Sequence, residues 1–144
     1  MGTTTTMQLG VLELGPGITF GTTTALTARQ SGCVVAVGMS GAGVTAINLV
    51  LPTAFGSGMH YTIVVSEWNA DQTHILNITS GSSADRFYGS IVGGSGAGVT
   101  LSNQVAIQCT SSSNTLGSSI DVLCVRGIWV VKGQVINTAL WTAS

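Results

Sequence analysis

His74 lies three residues after Asp71 in a chain rich in serine, so a Ser–His–Asp nucleophilic triad is the first chemistry to consider. The sequence contains no Gly-x-Ser-x-Gly motif, the turn that presents the serine nucleophile in many hydrolases. The carboxylates Glu67, Asp85 and Asp121 are scattered and form no acid/base pair typical of a glycoside hydrolase. We therefore predict that the protein is not an enzyme.

The three cysteines, Cys33, Cys109 and Cys124, lie in or beside apolar segments, and none belongs to a Cys-x-x-Cys pair. His60 and His74 are far from them in sequence, so the ligand spacing typical of a structural zinc site is missing. We expect buried free thiols, with a Cys109–Cys124 disulfide between neighbouring strands as the alternative under oxidising conditions. No metal or cofactor is expected.

The tryptophans Trp68, Trp129 and Trp141 could stack on sugar rings, which is the chemistry of a glycan-binding module. Trp129 alternates with Val131 in an apolar segment, a spacing that favours packing in the core. Trp141 lies near the carboxyl end, beyond any predicted core strand. We therefore predict that Trp141 is an anchor at a subunit interface.

The composition indicates a chain whose surface is covered by neighbours. Charged residues make up 6% of the sequence, against about a quarter in an ordinary soluble domain, and the mean hydropathy is +0.51. Such a neutral surface is typical of a permanent assembly. The net charge of −1 and the absence of a basic stripe argue against nucleic-acid binding.

No membrane segment is predicted. Residues 30–66 carry no charge, but Gly, Ser, Thr, Asn and Pro52 interrupt them, so no apolar run of about 18 residues appears. The first ten residues do not resemble a signal peptide, so we expect synthesis in a cytoplasm. The glycine-rich residues 93–98 lack the lysine and following helix of a phosphate-binding loop, which favours a linker.

Residues 119–133 are predicted to form a β-hairpin. Two apolar runs, 120–125 and 128–131, flank Arg126 and Gly127, and neither run has the length of an ordinary helix. Because Arg126 is a poor first residue for a type I′ turn, we predict a type I turn with Gly127 in a G1 bulge. Alternation leaves both faces of the first strand largely apolar, so the outer face needs a cover.

The remaining apolar segments are short, are separated by Gly, Ser and Asn, and show no helical repeat. They predict an all-β fold, an antiparallel β-sandwich or jelly roll spanning residues 18–144. The predicted strands beside the hairpin are 18–20, 33–37, 44–51, 59–66, 74–79, 86–92, 99–101, 104–109 and 135–141. The predicted core residues are Ile47, Leu49, Ile63, Val65, Val122 and Trp129, and the predicted interface residues are Leu123, Val125 and Trp141.

Residues 1–17 are predicted to form an extended amino-terminal arm, because the Thr/Gly-rich start has no partner within itself. Such an arm can add backbone hydrogen bonds at the sheet edge of a neighbouring protein. A disordered terminus is the alternative. The apolar residues that we expect to make arm contacts are Met7, Leu9, Val11, Leu12 and Leu14.

The order of these segments resembles a family of small β-rich proteins encoded near the capsid genes of tailed bacteriophages. The late hairpin of that family follows V-x-L-x-S-D-G-x-x-W-x-V-x-G. This chain has corresponding residues at Val122, Gly127, Trp129, Val131 and Gly133, with Val125-Arg126 in place of Ser-Asp and with the Val–Gly and Gly–Trp spacings each one residue shorter. The resemblance covers about residues 18–134. The segments that carry it are LTARQSG, INLVLPTAFGSGMHYTIVVSE, HILNITSGSSADRFYGSIV and SSIDVLCVRGIWVVKGQ.

The resemblance implies a capsid decoration, or cement, protein. Such a protein is a homotrimer that binds the major capsid protein on the outer surface of the virion head and stabilises the head. The alternative is a host-recognition module of a head spike or tail fibre that binds glycans through exposed aromatic residues.

Overall fold

The computed structural model describes residues 11–14, 23–39, 45–68, 74–94, 96–110 and 116–144. Over these ranges the chain is all-β, with two sheets and two single-turn 3-10 helices, Ala28–Gln30 and Thr138–Leu140. None of the helices in the described ranges is long and apolar enough to span a bilayer.

The larger sheet has seven strands: β1 (Val11–Leu14), β3 (Val34–Met39), β5 (His60–Trp68), β7 (Phe87–Gly93), β8 (Gly98–Gln104), β10 (Ser119–Val125) and β11 (Ile128–Val135). Their spatial order is β1-β3-β5-β10-β11-β7-β8. The predicted hairpin is present as β10 and β11, and it lies at the centre of the sheet, between β5 and β7.

The smaller sheet has five strands: β2 (Thr23–Ala25), β4 (Thr45–Leu51), β6 (His74–Ser80), β9 (Ala106–Thr110) and β12 (Trp141–Ala143). Their spatial order is β12-β9-β6-β4-β2. The side chains alternate in and out along each long strand, as in β6, where His74, Leu76 and Ile78 are buried.

Both sheets are mixed, so the expectation of an antiparallel fold is not confirmed. Among the described strands five pairings are parallel and five antiparallel. From β3 to β7 successive strands alternate between the two sheets. Because each strand also reverses direction, strands two apart in sequence run parallel within one sheet, as β3 with β5 and β4 with β6 do.

The inward-facing side chains of both sheets form one hydrophobic cluster. Its largest fully buried members include Trp129, Tyr61 and Phe87, and the rings of Tyr61 and Trp129 lie with centroids 6.1 Å apart. Because both sheets contribute side chains to this single cluster, they share one hydrophobic core. All six residues predicted for the core are buried in this cluster: Ile47, Leu49, Ile63, Val65, Val122 and Trp129.

The described part of the amino-terminal arm is a strand of the chain's own sheet. Residues Val11–Leu14 pair in parallel with Val34–Val37 at the edge of the seven-stranded sheet. This strand therefore contributes backbone hydrogen bonds within the chain, where the sequence predicted a contact with a neighbour. Met7, Leu9, the predicted strand 18–20, and the side chains of Val11, Leu12 and Leu14 lie outside the described part of the structure.

The carboxyl-terminal segment differs from the predicted strand 135–141. Strand β11 continues to Val135, and the chain then turns through Thr138–Leu140, where the Asn137 side chain accepts a hydrogen bond from the Ala139 N–H. Trp141 follows in β12, opposite Cys109, and is 2% exposed. Its side chain is already buried by its own chain, so it is not available as the subunit anchor that the sequence predicted.

Candidate functional site

The turn between β10 and β11 organises one end of the molecule. Arg126 and Gly127 have φ of +50° and +81° and join the paired residues Val125 and Ile128. A two-residue loop with both residues at positive φ is a type I′ turn, so the predicted type I turn with a G1 bulge is wrong. The reason is a tertiary contact, because the Arg126 N–H donates to the Ser57 hydroxyl at 2.9 Å.

The loop of residues 52–59 is fixed against this turn by hydrogen bonds from several directions. The Gly127 N–H donates to the Gly56 carbonyl at 3.1 Å, and the Gly58 N–H donates to the Cys124 carbonyl at 2.9 Å. On the other side, the Ala54 N–H donates to the Asp85 carboxylate at 2.7 Å. The loop backbone is therefore held in one place relative to the hairpin.

Phe55 lies on this fixed loop and is 85% exposed. An aromatic ring in that position contributes nothing to the core. Because its backbone is already ordered, a partner that covered the ring would not have to order the loop first. Phe55 is therefore the first candidate for an interaction residue.

A buried polar network also holds the loop of residues 52–59 in place. The Asp85 side chain, 9% exposed, accepts hydrogen bonds from the Ala54 N–H and from the Ser80 hydroxyl. The Trp129 indole N–H donates to the Ser80 oxygen at 3.1 Å, and the Pro52 carbonyl lies 3.0 Å from that oxygen. Asp85 thus acts as a structural acceptor and has little surface to offer a ligand.

All three arginines of the chain lie at this end, which we call the turn end: residues 126–127, loops 52–59 and 81–86, and the 3-10 helix Ala28–Gln30. The Arg126 and Arg29 side chains are exposed. The Arg86 guanidinium donates to the backbone carbonyls of Ser83 and Asp85 at 2.7 and 2.8 Å, which fixes its direction. The turn end therefore combines an exposed aromatic ring with exposed positive charge.

The outer face of the seven-stranded sheet carries an apolar strip. Leu123 and Val130 are 41% and 36% exposed and lie directly opposite each other. Half-buried Tyr88 is next to Val130 on β7, and its hydroxyl donates to the Asn103 side chain at 3.2 Å. Of the predicted interface residues, Leu123 is therefore on a free surface of the chain, and Val125 is half-buried beside the turn.

His74, Cys109 and Cys124, which were considered for chemistry, lie on three different strands, β6, β9 and β10. His74 is fully buried at the start of β6, and Asp71 lies outside the described residues. Cys33, Cys109 and Cys124 are free thiols, and Cys109 and Cys124 belong to different sheets, so they are not on the neighbouring strands that the disulfide alternative assumed. Burial raises the pKa of the Cys109 thiol to about 12.

Sequence reasoning missed Phe55 and the placement of the arginines at one end of the molecule. The available signal for Phe55 was its place in the run Pro52-Thr53-Ala54-Phe55-Gly56, an aromatic residue in a turn-forming segment outside any strand. The arginines are far apart in sequence and lie at one end of the molecule only because the strands that they flank begin or end at that side of the sheets.

Within the ranges that the structure describes, no group of three or more His, Cys, Asp or Glu residues is placed to hold a metal ion. The turn end presents an exposed aromatic ring and exposed guanidinium groups, side chains of the kind that contact other macromolecules. No family model matches the chain, and no curated protein or solved structure matches it significantly.

Proposed function

We propose that the protein is a capsid decoration, or cement, protein, a non-enzymatic virion component that binds the outer surface of a phage head. The observation that carries the proposal is Phe55, which is 85% exposed on a loop fixed by hydrogen bonds. The exposed Arg126 lies on the neighbouring turn between β10 and β11. Aromatic and arginine side chains on ordered backbone are the residue types that dominate protein–protein contacts.

In this proposal the turn end faces the major capsid protein. The Phe55 ring enters an apolar depression, and the arginines around it lie against carboxylates at the rim of that depression. Met7 and Leu9, which precede β1, add arm contacts. The sequence resemblance of the hairpin to phage decoration proteins supports the same partner.

The fold that we propose for this role is a β-sandwich with the two mixed sheets as its layers, assembled as a homotrimer. Three turn ends on one trimer bind several capsid subunits at once, so modest contacts act together through effective concentration. Such a trimer holds adjacent major capsid proteins and stabilises the head.

The test adds the purified protein back to heads that lack it and measures occupancy. The Phe55→Ala chain should bind heads at least about 30-fold more weakly, the effect of losing a contact of roughly 2 kcal/mol. Ile136→Ala is the matched control, since Ile136 is an exposed apolar residue outside the turn end. Equal occupancy by the Phe55→Ala and wild-type chains would contradict this docking surface.

Host recognition through glycans is the second candidate function. Phe55 favours it as an exposed ring that can stack on a sugar, whereas Trp129 and Trp141 are buried and cannot. Comparing binding to host-cell glycans with binding to heads distinguishes the two functions. Binding to host-cell glycans without binding to heads supports recognition, and head occupancy without glycan binding supports decoration.

A further inference from the structure

The seven-stranded sheet has one long open edge. Four of the described strands lie at sheet edges: β1, β2 and β12 have four, three and three residues, and β8 has seven. The sequence of β8, GVTLSNQ, contains neither a charged residue nor a proline, two of the features that protect an edge from pairing with another chain. Among the described edges, β8 is therefore the one best suited to accept a further strand.

The backbone of β8 directs hydrogen-bonding groups away from its neighbour β7. The Gly93 N–H donates to the Ala97 carbonyl at 2.7 Å, and bonded and non-bonded pairs alternate along an antiparallel ladder. Ser90 and Thr100, which lie opposite each other three positions further on, are therefore a non-bonded pair. The N–H and C=O groups of Thr100 thus face the open edge, and the residue is exposed.

We propose that residues 3–9 of a second copy of the chain pair with this edge through their backbone. The segment, TTTTMQL, is uncharged like β8, and β-branched threonine favours the extended conformation of a strand. It has as many residues as β8, and Gly10 connects it to β1. Because neither segment carries an ion, no charge has to be desolvated when the two pair.

The chain's own residues 1–10 are too short to make this contact. Strands β1 and β8 lie at opposite edges of the sheet, so a strand added beside β8 is about 34 Å from β1, measured along the sheet at about 4.8 Å per strand. Ten fully extended residues span at most about 33–36 Å, so none would remain to pair. The added strand therefore comes from a different copy.

The two surfaces of this contact are different. One copy contributes the segment that precedes β1, and the next contributes the edge of β8. A contact between unlike surfaces joins copies head to tail, and such contacts can close into a ring of three. The inference rests on the proposed function and deepens it by naming the contact that assembles the homotrimer. Met7 and Leu9 are two residues apart, so one face of the added strand presents both to the major capsid protein.

The experiment removes the outward N–H of β8 and measures the mass of the assembly by light scattering. The wild-type chain should give the mass of three copies. Thr100→Pro should weaken association at least about 10-fold, because proline has no N–H to donate to the added strand, while the ladder with β7 loses no bond. The matched control is Thr100→Val, which keeps the N–H and the shape of the side chain and should associate like the wild type.

A second pair of variants changes the other partner of the contact. Successive residues of a strand direct their N–H groups to opposite sides, so Thr5→Pro with Thr6→Pro removes at least one donor and should weaken association by a similar factor. Thr5→Val with Thr6→Val should not. Hydrogen exchange of the Thr100 amide reads the contact directly. This amide should exchange at least about 10-fold more slowly in the wild-type assembly than in the double proline variant, whose β8 is unchanged.

A wild-type chain that stays single overturns the inference. A Thr100→Pro chain that is folded by circular dichroism and associates like the wild type also overturns it, as does a Thr100 amide that exchanges equally in the wild-type and double proline chains. If Thr100→Pro does not fold, the variants of residues 5 and 6 and the exchange measurement decide. The Phe55→Ala chain should keep the mass of three copies while losing head occupancy, so failure of the assembly contact is distinguishable from failure of the proposed function.

Discussion

The indole N–H of Trp129 donates a hydrogen bond to the hydroxyl oxygen of Ser80 at 3.1 Å, which joins β11 in one sheet to the end of β6 in the other. Ser80 in turn contacts the Asp85 carboxylate, which holds the loop that bears Phe55. A single hydroxyl therefore connects the core, both sheets and the turn end.

We expect Ser80→Ala to lower the free energy of unfolding by about 2–3 kcal/mol, because the Trp129 N–H loses its acceptor and Asp85 loses a donor. Urea unfolding followed by tryptophan fluorescence measures the change. Ser90→Ala, at an exposed position in β7, should stay within about 0.5 kcal/mol of the wild type. A Ser80→Ala chain as stable as the Ser90→Ala chain would show that the network contributes no stability.

Arg126→Asn should stabilise the fold while weakening head binding. Arg126 adopts a φ of +50°, which asparagine tolerates better, so the free energy of unfolding should rise by up to about 1 kcal/mol. The lost guanidinium should reduce affinity for heads if the turn end is the docking surface. A urea midpoint below that of the wild type would contradict the account of the turn.

Gly89→Ala should prevent normal pairing of β7 with β11. A Cβ at this position, where φ is +138°, would overlap the carbonyl oxygen of Val131 on the neighbouring strand. Gly96→Ala is the control for backbone conformation alone, since Gly96 has a φ of +82° with open space around its Cβ position, and it should cost about 1 kcal/mol. Thermal unfolding of the two chains should differ clearly, and equal melting temperatures would rule out the steric account.

Stability should fall in alkali through Cys109. Burial raises the pKa of this thiol from 9.0 to about 12. The stabilisation of the folded chain that this raised pKa reflects is complete below pH 9. It is lost as the pH rises toward 12, because over that interval only the unfolded chain releases the thiol proton. The slope is at most about 1.4 kcal/mol per pH unit for one group.

Urea unfolding between about pH 8 and 10 isolates the thiol, because the buried Tyr61 hydroxyl, whose pKa is raised from 10.0 to about 12, contributes above that range. A Cys109→Ala chain should lose less stability over this interval than the wild type. If the two chains lose stability equally, the burial of the thiol is not the cause.

Local patterns were enough to predict most strands and the core. The hairpin and strands β4, β5 and β6 lie within two residues of their predicted bounds, because apolar alternation and the turn residues between them are properties of short segments. Parallel pairing was missed, since it depends on which strands lie in the opposite sheet, and no single segment records that.

The features of the turn end depend on contacts between distant parts of the chain. The positive φ of Arg126 is stabilised by Ser57, far away in sequence, so turn propensity alone favoured the wrong type. Trp141 is buried because β12 pairs with β9. The predicted continuous strand 135–141 did not include a separate strand at this position, so the pairing was missed. Phe55 is exposed because Asp85 and the hairpin fix its loop, a relationship that requires three separate segments.

The central position of the final hairpin has a consequence for synthesis. Strands β10 and β11 leave the ribosome after β5 and β7, yet they lie between these two strands in the finished sheet. Until the hairpin emerges, the edge of β5 away from β3 and the edge of β7 away from β8 have no hydrogen-bonding partner in the nascent chain. The seven-stranded sheet can therefore close only after the hairpin has been synthesised, however early its other strands emerge.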